Sequence, residues 1–249
     1  MPNAPYLDAS VRWKLKSGAI AFRELRTAEV AAQLLDNGLV TEVLGTIGAG
    51  KEADVFLARD GHRVVVAKSY RLYRTSNRSR GAVKADGMGH LASREFELLG
   101  YAWAHRVPVP EPFAREENAF TMEFVGDADG PAPQLRRTRL EAPEEFAREL
   151  LAAIDDLAHA GVVHTDLSPF NILVHRGHPV IIDLGKGLRV DRLGASPWIR
   201  LNEARTALEH ALETLRRYFG RYGVPFETEG LLAQILRDID RFGVGAYPD

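Results

Sequence analysis

The sequence predicts an α+β fold of two lobes, the first rich in strands and the second rich in helices. Three strand candidates follow one another closely, at 43–48, 53–59 and 63–69. Asp60-Gly61, between the last two, is a typical two-residue hairpin signal. Beyond a Gly- and Pro-containing linker at 126–142, apolar residues recur at helical spacing instead. This change of period predicts two lobes with separate layers.

The remaining elements of the first half are predicted from breakers and periodicity. We expect a helix at 22–36 that Gly38 terminates, and a second helix at about 91–104. Residues 71–90 show no period and predict a mobile loop. "VPVPEP" forces an extended segment, and 118–125 alternates like a strand. The predicted domains are an N-terminal helical extension at 1–40, an N-lobe at 41–125 and a C-lobe at 126–249.

The second half is dominated by helix signals. "PEEFARELLAAIDDLAHAG" carries Pro143 and two acids in its first turn, an apolar stripe, and Gly161 as terminator. Two short strands are predicted at 171–174 and 179–183. Two further helices are predicted at 201–219 and 229–242, each with leucine or isoleucine at helical spacing.

The composition excludes several functions. No apolar run approaches the roughly 18 residues of a membrane span, and no signal-peptide region is seen, so we expect a cytoplasmic protein without membrane contact. The absence of cysteine excludes thiolate catalysis, disulfides and cysteine-ligated zinc. The net charge of −2 gives no overall attraction to nucleic acid. Two arginine-rich runs, 71–84 and 136–139, leave open a solvated loop or an anionic partner.

"TIGAGKEADVF" places two glycines and a lysine between two strands. Gly48 and Gly50 would let backbone N–H groups approach a phosphate, with Lys51 beside them. The segment is not a Walker A loop, because a glutamate and a strand follow the lysine. By itself it is equally compatible with an ordinary hairpin turn.

Lys68 ends an apolar strand after this glycine loop. Nucleotide kinases hold the α- and β-phosphates with a lysine in such a place, although a strand lysine can also extend to solvent. The lysine needs a carboxylate to orient it, and Glu95 and Glu97 are the candidates on the next helix. Glu95 shares a helical face with Ala92 and Leu99, so we prefer it.

"HTDLSPFN" and "IIDLG" form the most specific pattern of the chain. Asn171 follows Asp166 by five residues, and Asp183 ends the predicted strand pair. Phosphoryl transfer requires a carboxylate that orients or accepts the hydroxyl proton, together with hard oxygen ligands for Mg²⁺. Asp166 fits the first role, and Asn171 and Asp183 fit the second. Turn formation explains each residue singly but not their order and spacing. His164 is expected to support the loop from beneath.

These segments, taken in order, resemble the RIO family of atypical protein kinases. The resemblance covers roughly residues 39 to 243 and lies in the segments "GTIGAGKEADVF", "VVVAKSY", "REFELL", "VPVPEPF", "TMEFVG", "AGVVHTDLSPFNILV" and "VIIDLG". It implies a two-lobed protein-kinase-like fold with a reduced helical C-lobe and no activation segment. The stretch around "NGLVTEVLGTIGAGKEADVF" is most similar to the subfamily with an N-terminal winged helix, which we expect to be truncated here. "SPFN" and "DLG" depart from the usual family pattern.

The resemblance also implies residue roles. Lys68 would contact the nucleotide phosphates, Glu95 would orient it, and Asp166 would be the catalytic aspartate. Asn171 and Asp183 would hold Mg²⁺ or Mn²⁺. The other nucleotide-binding residues that it implies are Ile47, Gly48, Gly50, Lys51, Val55 and the hinge residues Met122, Glu123 and Val125.

The function so implied is ATP- and metal-dependent phosphoryl transfer by a RIO-type serine/threonine protein kinase, with autophosphorylation. The expected partners are ATP and a protein acceptor, with ribosome association and nucleic-acid contact left open. Two alternatives use the same residues. One is an ATPase switch that binds ribosomal particles, and the other is a small-molecule phosphotransferase of the aminoglycoside or choline type.

Overall fold

The structure, a computed structural model, divides into two compact units. One comprises Met1–Phe96 and Pro112–Phe124, and the other comprises Glu97–Glu111 and Val125–Asp249. The residues that it describes are 13, 16–17, 22–24, 26–49, 53–70, 73–75, 86–190, 197–226 and 228–243.

The first unit is built on a five-stranded antiparallel sheet of order β2-β3-β4-β7-β6. Its strands are β2 (Glu42–Ala49), β3 (Ala53–Asp60), β4 (Arg63–Tyr70), β6 (Pro112–Glu116) and β7 (Ala119–Glu123). The four predicted strands of the N-lobe, including the one at 118–125, are therefore present within a residue or two of their expected bounds. β6 was not predicted, and the helix at Asp86–Ala104, α2, precedes it along the chain.

The β3–β4 hairpin turns through Gly61-His62 rather than Asp60-Gly61. Asp60 pairs with Arg63, so the two residues between them form the turn. Gly61 has a φ of +59°, a conformation that glycine adopts without steric cost. The prediction of a two-residue hairpin was correct in kind and wrong by one residue.

The core of the first unit lies on both faces of the central strands, since Phe56 pairs with Ala67 and Phe120 pairs with Lys68, the next residue along β4. Phe56, Val65, Ala67 and Phe120 are buried to 1% exposure or less. The ring of Phe96, from α2, meets Phe120 edge-on at 5.9 Å between centroids. The sheet thus packs against a helix within this unit.

Two predictions for the first half were wrong. The helix expected at 22–36 starts later, as α1 at Thr27–Asp36, because Phe22–Glu24 forms strand β1 and pairs with β5 (Tyr73–Thr75). The loop expected at 71–90 also contains β5, and its last five residues begin α2. The intervening residues 76–85 lie outside the described part of the chain. Gly38 does end α1 with a φ of +68°.

The second unit is mainly helical. Its helices after α2 are α3 (Pro143–His159), α4 (Pro197–Gly220) and α5 (Glu229–Gly243). Pro143 occupies the first turn of α3, as predicted, because its missing N–H is not needed there. α5 contacts both α3 and α4. Phe219 of α4 stacks on Phe226, in the connection to α5, with 4.9 Å between centroids.

Short strands connect these helices. β8 (Gly126–Asp127) pairs with β9 (Gly130–Pro131), and β10 (Val162–Val163) pairs with β13 (Leu188–Arg189). β11 (Ile172–His175) and β12 (His178–Ile181) form the predicted hairpin. A 3₁₀ turn at Leu135–Arg137 lies within the predicted linker, and a second 3₁₀ turn follows β12 at Leu184–Lys186. No helix in the described part of the chain is long and apolar enough to cross a membrane.

Candidate active site

Gly48 lies near the end of β2, where the glycine loop begins. It pairs with Val55 of β3, next to an irregularity in the β2–β3 register. A Cβ added at Gly48 would meet the Val55 Cβ at 3.6 Å, an ordinary contact, so packing within the sheet does not require glycine here. Ile47 beside it is 40% exposed. Gly50 and Lys51 lie outside the described residues.

Lys68 lies in the interior of the first unit. It pairs with Val55 on one side and with Phe120 on the other, in the middle of the sheet. Its ammonium is 2.7 Å from both carboxylate oxygens of Glu95, and the two side chains are only 10% and 3% exposed. Of the two predicted partners, Glu95 is therefore the one that Lys68 contacts, while Glu97 is exposed.

Tyr70 completes this buried cluster. Its hydroxyl donates to Glu95 Oε2 at 2.6 Å, and its ring centroid lies 5.4 Å from the Lys68 ammonium. Lys68 and Tyr70 are two residues apart on one strand, so their side chains share a face of the sheet. Sequence reasoning missed Tyr70, although this spacing could have indicated it. The Tyr70 hydroxyl and the Lys68 ammonium both donate to Glu95, so two donors from one strand hold the carboxylate.

The predicted hinge residues follow at the end of β7. Met122 and Glu123 pair with β4 through the register Val66–Met122 and Val65–Glu123. In the second unit, the buried Val125 accepts a hydrogen bond at its carbonyl from the Ala132 N–H at 2.9 Å. The contact of Met122, Glu123 and Val125 with adenine stays a prediction.

His164 supports the loop that carries Asp166. It is buried, its Nε2–H donates to the Ile182 carbonyl at 3.0 Å, and its Nδ1 accepts from the Asp166 N–H at 3.2 Å. Burial lowers the pKa of His164, so the ring is neutral and can donate at one nitrogen while accepting at the other. This matches the supporting role that the sequence suggested. The Asp166 backbone is thus anchored to the segment that precedes Asp183.

Asn171 connects Asp166 to the hairpin. Its Nδ2 donates to the Asp166 carbonyl at 2.8 Å, and its own carbonyl accepts from the Ile182 N–H at 3.0 Å. Because Ile172 and Ile181 are paired, Asn171 and Ile182 are the next residues at the open end of the β11–β12 hairpin. Asp183 follows directly, so the hairpin brings the two predicted metal ligands close together in the chain fold.

Asp183 is not part of the strand that was predicted to run to it. β12 ends at Ile181, and Asp183 adopts the left-handed conformation with a φ of +66°. Aspartate tolerates this region better than most residues, but it is uncommon outside glycine. The chain turns here into the 3₁₀ turn Leu184–Lys186. The exposed carboxylate is therefore presented at a turn and not along a ladder.

Asp166 is exposed and has a cationic neighbour. Lys186 places its ammonium 3.2 Å from Asp166 Oδ2, and the two side chains are 60% and 56% exposed. Sequence reasoning missed Lys186, since nothing in the spacing from Asp166 indicates a contact over 20 residues.

The residues present fit a divalent cation that is shared with phosphate. The Asn171 amide nitrogen is the donor to Asp166, so the amide oxygen is the atom suited to a metal, and Asp183 adds a carboxylate. Within the described ranges, no group of three or more histidine, aspartate or glutamate side chains is arranged to hold a metal. Magnesium sites commonly use one or two protein oxygens and take the other ligands from phosphate and water.

The first unit is rich in strands and holds a buried lysine–glutamate pair. The second unit is mainly helical and carries Asp and Asn side chains at one hairpin. These features define a protein-kinase-like phosphotransferase. The RIO domain family matches residues 63–231, more than half of the chain, and the chain belongs to this family.

Related sequences carry names of the same class. The chain is 30% identical over 227 residues to the RIO-type serine/threonine-protein kinase Rio1 of Haloferax volcanii, covering 86% of this chain and 75% of that protein. It is 28% identical over 248 residues to the human serine/threonine-protein kinase RIO1, covering 86% of this chain and 39% of that protein. It is 26% identical over 260 residues to serine/threonine-protein kinase RIO2 of Saccharomyces cerevisiae, covering 95% and 56%.

The fold has the same relatives among solved structures. The Rio2 kinase of Chaetomium thermophilum, in an ADP/Mg²⁺-phosphoaspartate complex, aligns with a TM-score of 0.64 at 23% identity. The alignment covers 92% of this chain and 74% of that one. The predicted family, the α+β kinase-like fold and the class of RIO-type serine/threonine kinase are confirmed. Since the relatives carry both Rio1 and Rio2 names, the subfamily stays a prediction.

Proposed function

We propose that this protein transfers the γ-phosphate of ATP to a serine or threonine hydroxyl of a protein, its own chain included, with Mg²⁺ or Mn²⁺ as the metal. The observation that carries the proposal is the placement of Asp166, Asn171 and Asp183 at one hairpin: the Asn171 amide donates to the Asp166 carbonyl, and the Asn171 carbonyl accepts from the N–H of Ile182, the residue before Asp183. Asp166 and Asn171 are held by hydrogen bonds within the loop, and Asp183 directly follows Ile182, whose N–H is bonded to the Asn171 carbonyl. Preorganised groups of this kind are what phosphoryl transfer requires of a protein.

Asp166 would act on the acceptor. Its backbone is held by His164 and by the Asn171 amide, while its carboxylate is exposed and can reach a hydroxyl. A carboxylate in this situation orients the hydroxyl and receives its proton as the oxygen attacks phosphorus.

Asn171 and Asp183 would hold the metal, which supplies charge neutralisation on the phosphate oxygens when it is bound. Both residues present oxygen atoms, the ligand type that Mg²⁺ and Mn²⁺ prefer. The hairpin keeps them adjacent in the fold, and Asp183 lies at an exposed left-handed turn after the end of β12.

The first unit would supply nucleotide contacts. Lys68 is oriented by the buried Glu95, which Tyr70 holds in turn, so the ammonium is fixed as a phosphate-binding group. The absence of a side chain at Gly48 allows close approach of backbone to phosphate. The proposed nucleotide contacts of Ile47, Gly50, Lys51, Val55, Met122, Glu123 and Val125 rest on the family resemblance.

The arginine run at 136–139 remains a proposed contact for an anionic partner. Arg136 stacks over the exposed Phe170 at 4.2 Å and bonds Gln134, and Arg137 and Arg139 are exposed. Phe170 immediately precedes Asn171, so this group lies beside the catalytic loop. Most of the other run, 71–84, lies outside the described residues.

Incubation with γ-labelled ATP and Mg²⁺, with and without cell extract, tests the proposal. We expect label on protein through a bond that resists hydroxylamine, as a serine or threonine phosphate does. A hydroxylamine-labile protein bond would indicate an aspartyl phosphate, and label only in free phosphate would indicate an ATPase. Label on a small molecule would indicate a small-molecule phosphotransferase. Each of these three outcomes contradicts the proposed acceptor.

Two variants test the residue roles. Asp166→Asn should lower turnover by about 10²–10⁴-fold while ATP affinity changes little, because a proton acceptor is lost and the fold is not. Asp183→Ala should weaken ATP binding in Mg²⁺ more than in EDTA. Asp156→Asn, an exposed aspartate on α3, is the matched control and should behave as wild type. Unchanged turnover in Asp166→Asn would refute the assignment.

A further inference from the structure

Lys186, in the second unit, has no role in the chemistry proposed above. Its ammonium is 3.2 Å from Asp166 Oδ2, at the carboxylate that would meet the acceptor hydroxyl. Both side chains are more than half exposed, so an incoming phosphate can reach the pair. The catalytic loop itself, "DLSPFN" at 166–171, contains no cation.

The backbone of Lys186 is held from both sides. Its carbonyl accepts from the Thr165 hydroxyl at 2.7 Å, which ties it to the residue before Asp166. It ends the 3₁₀ turn that starts after Asp183, and the Gly187 N–H donates to the Leu184 carbonyl at 2.8 Å. A Cβ on Gly187 would lie 3.0 Å from that carbonyl oxygen and 3.3 Å from Leu98 Cδ1. The turn is therefore tightly packed, and it places the lysine reproducibly beside Asp166.

Stability does not account for this arrangement. An exposed ion pair contributes only about 0–1 kcal/mol, and holding a lysine side chain in one geometry opposes much of that gain. Reactivity does account for it, because a phosphate placed beside Asp166 brings two negative groups together. A fixed positive charge at that point offsets their repulsion and stabilises charge on the transferring group.

We infer that Lys186 binds the γ-phosphate of ATP and bridges it to Asp166 during transfer. This inference rests on the proposed function. In the step, the acceptor oxygen forms a bond to the γ-phosphorus while the bond from phosphorus to the β,γ-bridging oxygen breaks. The electron pair of that bond leaves with ADP, and the hydroxyl proton passes to Asp166. Lys186 stays protonated throughout, donating one N–H to a γ-phosphate oxygen and another to the Asp166 carboxylate.

We expect Lys186 to contact the γ-phosphate and not the other two phosphates of ATP. A group that contacts only the γ-phosphate should affect binding of ATP but not of ADP, whereas a lysine that merely supports the loop would affect both or neither. Lys68 is the proposed contact of the phosphates nearer the nucleoside, so the two lysines should separate in this comparison.

The test compares Lys186→Met, Lys186→Arg and the control Arg216→Met in the full chain. Arg216 is an exposed cation that pairs with Glu213 on α4, so its removal breaks a surface ion pair of the same kind elsewhere. Binding of ADP and of a non-hydrolysable ATP analogue is measured calorimetrically with Mg²⁺, and kcat and KM are measured with γ-labelled ATP.

For Lys186→Met we expect a fall in kcat of about 10²–10³-fold, as for loss of one preorganised donor to a transition state. We also expect weaker binding of the ATP analogue with unchanged binding of ADP. Lys186→Arg should restore part of both, and Arg216→Met should match wild type. If the Lys186→Met variant transfers phosphate and binds the ATP analogue as well as wild type does, this inference alone is overturned. Equal losses for ADP and the analogue would also overturn it. Absence of nucleotide binding in the wild type would overturn the proposed function as well.

Discussion

Replacing Glu95 by alanine tests the buried charge cluster of the first unit. In the folded protein the Glu95 carboxylate is 2.7 Å from the Lys68 ammonium and 2.6 Å from the Tyr70 hydroxyl, with only 3% of its side chain exposed. The variant leaves a buried ammonium without this carboxylate and a buried hydroxyl without this acceptor. Both groups were fully hydrated in the unfolded chain, so the loss appears as a destabilisation of the fold.

The magnitude follows from the burial of both partners. Removing one member of a buried ion pair costs about 3–5 kcal/mol, and a buried hydroxyl that loses its acceptor costs about 1–3 kcal/mol. Since the two terms share one carboxylate and the site can relax, we expect a total of ~4 kcal/mol. With a urea m-value of about 2–3 kcal/mol/M, the unfolding midpoint should fall by about 1–2 M.

The assay is urea unfolding followed by far-ultraviolet circular dichroism. Glu97→Ala is the matched control, two residues further along the same helix, where the side chain is exposed and the expected change is within about 0.5 kcal/mol. The triple variant Lys68→Met/Tyr70→Phe/Glu95→Leu replaces the whole cluster by apolar groups. It should unfold close to wild type, because apolar replacement of a buried ion pair is often neutral or stabilising. It should nevertheless have lost ATP-dependent transfer.

Equal midpoints for Glu95→Ala and Glu97→Ala would refute the reasoning, because the charge cluster would then contribute nothing beyond a surface pair. A triple variant as unstable as Glu95→Ala would show that the cost lies in altered packing and not in unpaired buried charge.

Three further predictions follow from contacts in both units. Gly48→Ala should keep the wild-type unfolding midpoint and weaken ATP binding about tenfold. Gly45→Ala, whose Cβ meets nothing within 4 Å, is the control and should change neither. Titration calorimetry measures both affinities for ATP, and equal affinities would contradict the phosphate-loop role of Gly48. The hydrogen bond to Glu149 raises the pKa of His178, so its stabilisation is present below pH ~6.5 and is lost as pH rises through the folded pKa. His178→Gln should therefore lower the urea midpoint at about pH 5.5 and have little effect at about pH 8.5, and a deficit that is the same at both pH values would exclude this explanation. Tyr218→Phe should lower the free energy of unfolding by about 1–2 kcal/mol, because the hydroxyl donates to the carbonyls of Leu135 at 2.8 Å and Thr138 at 3.3 Å, and burial raises the pKa of this tyrosine. Tyr222→Phe should have a smaller effect in the same unfolding assay, because the contacts of its hydroxyl are 3.3 and 3.4 Å long. The reverse order of the two effects would contradict this explanation.

Local patterns predicted much of the fold. The strands of the β2–β3–β4 meander alternate or are continuously apolar, and their partners are close in sequence, so period and turn residues were sufficient. The helix α3 was equally clear, since its proline, acids and apolar stripe all lie within one segment. These elements depend on neighbours within a few residues.

The wrong predictions depend on distant partners. Phe22–Glu24 lies in a stretch with helical character, but it forms a ladder with Tyr73–Thr75, about fifty residues further along the chain. Likewise, β10 is too short to be recognised until β13 pairs with it. Tertiary pairing overrides a weak local preference when it supplies the hydrogen bonds of the segment.

For the candidate site, the sequence by itself determined which residue types are available and the local order that joins Asp166, Asn171 and Asp183 through one hairpin. It also limited the partner of Lys68 to one helix and favoured Glu95 from the helical period. Only the tertiary structure decided that Tyr70 holds Glu95 across 25 residues and that Lys186 meets Asp166 across 20. The physical reason is that these contacts are set by how a helix packs on a sheet and by a left-handed turn, and no sequence period encodes either.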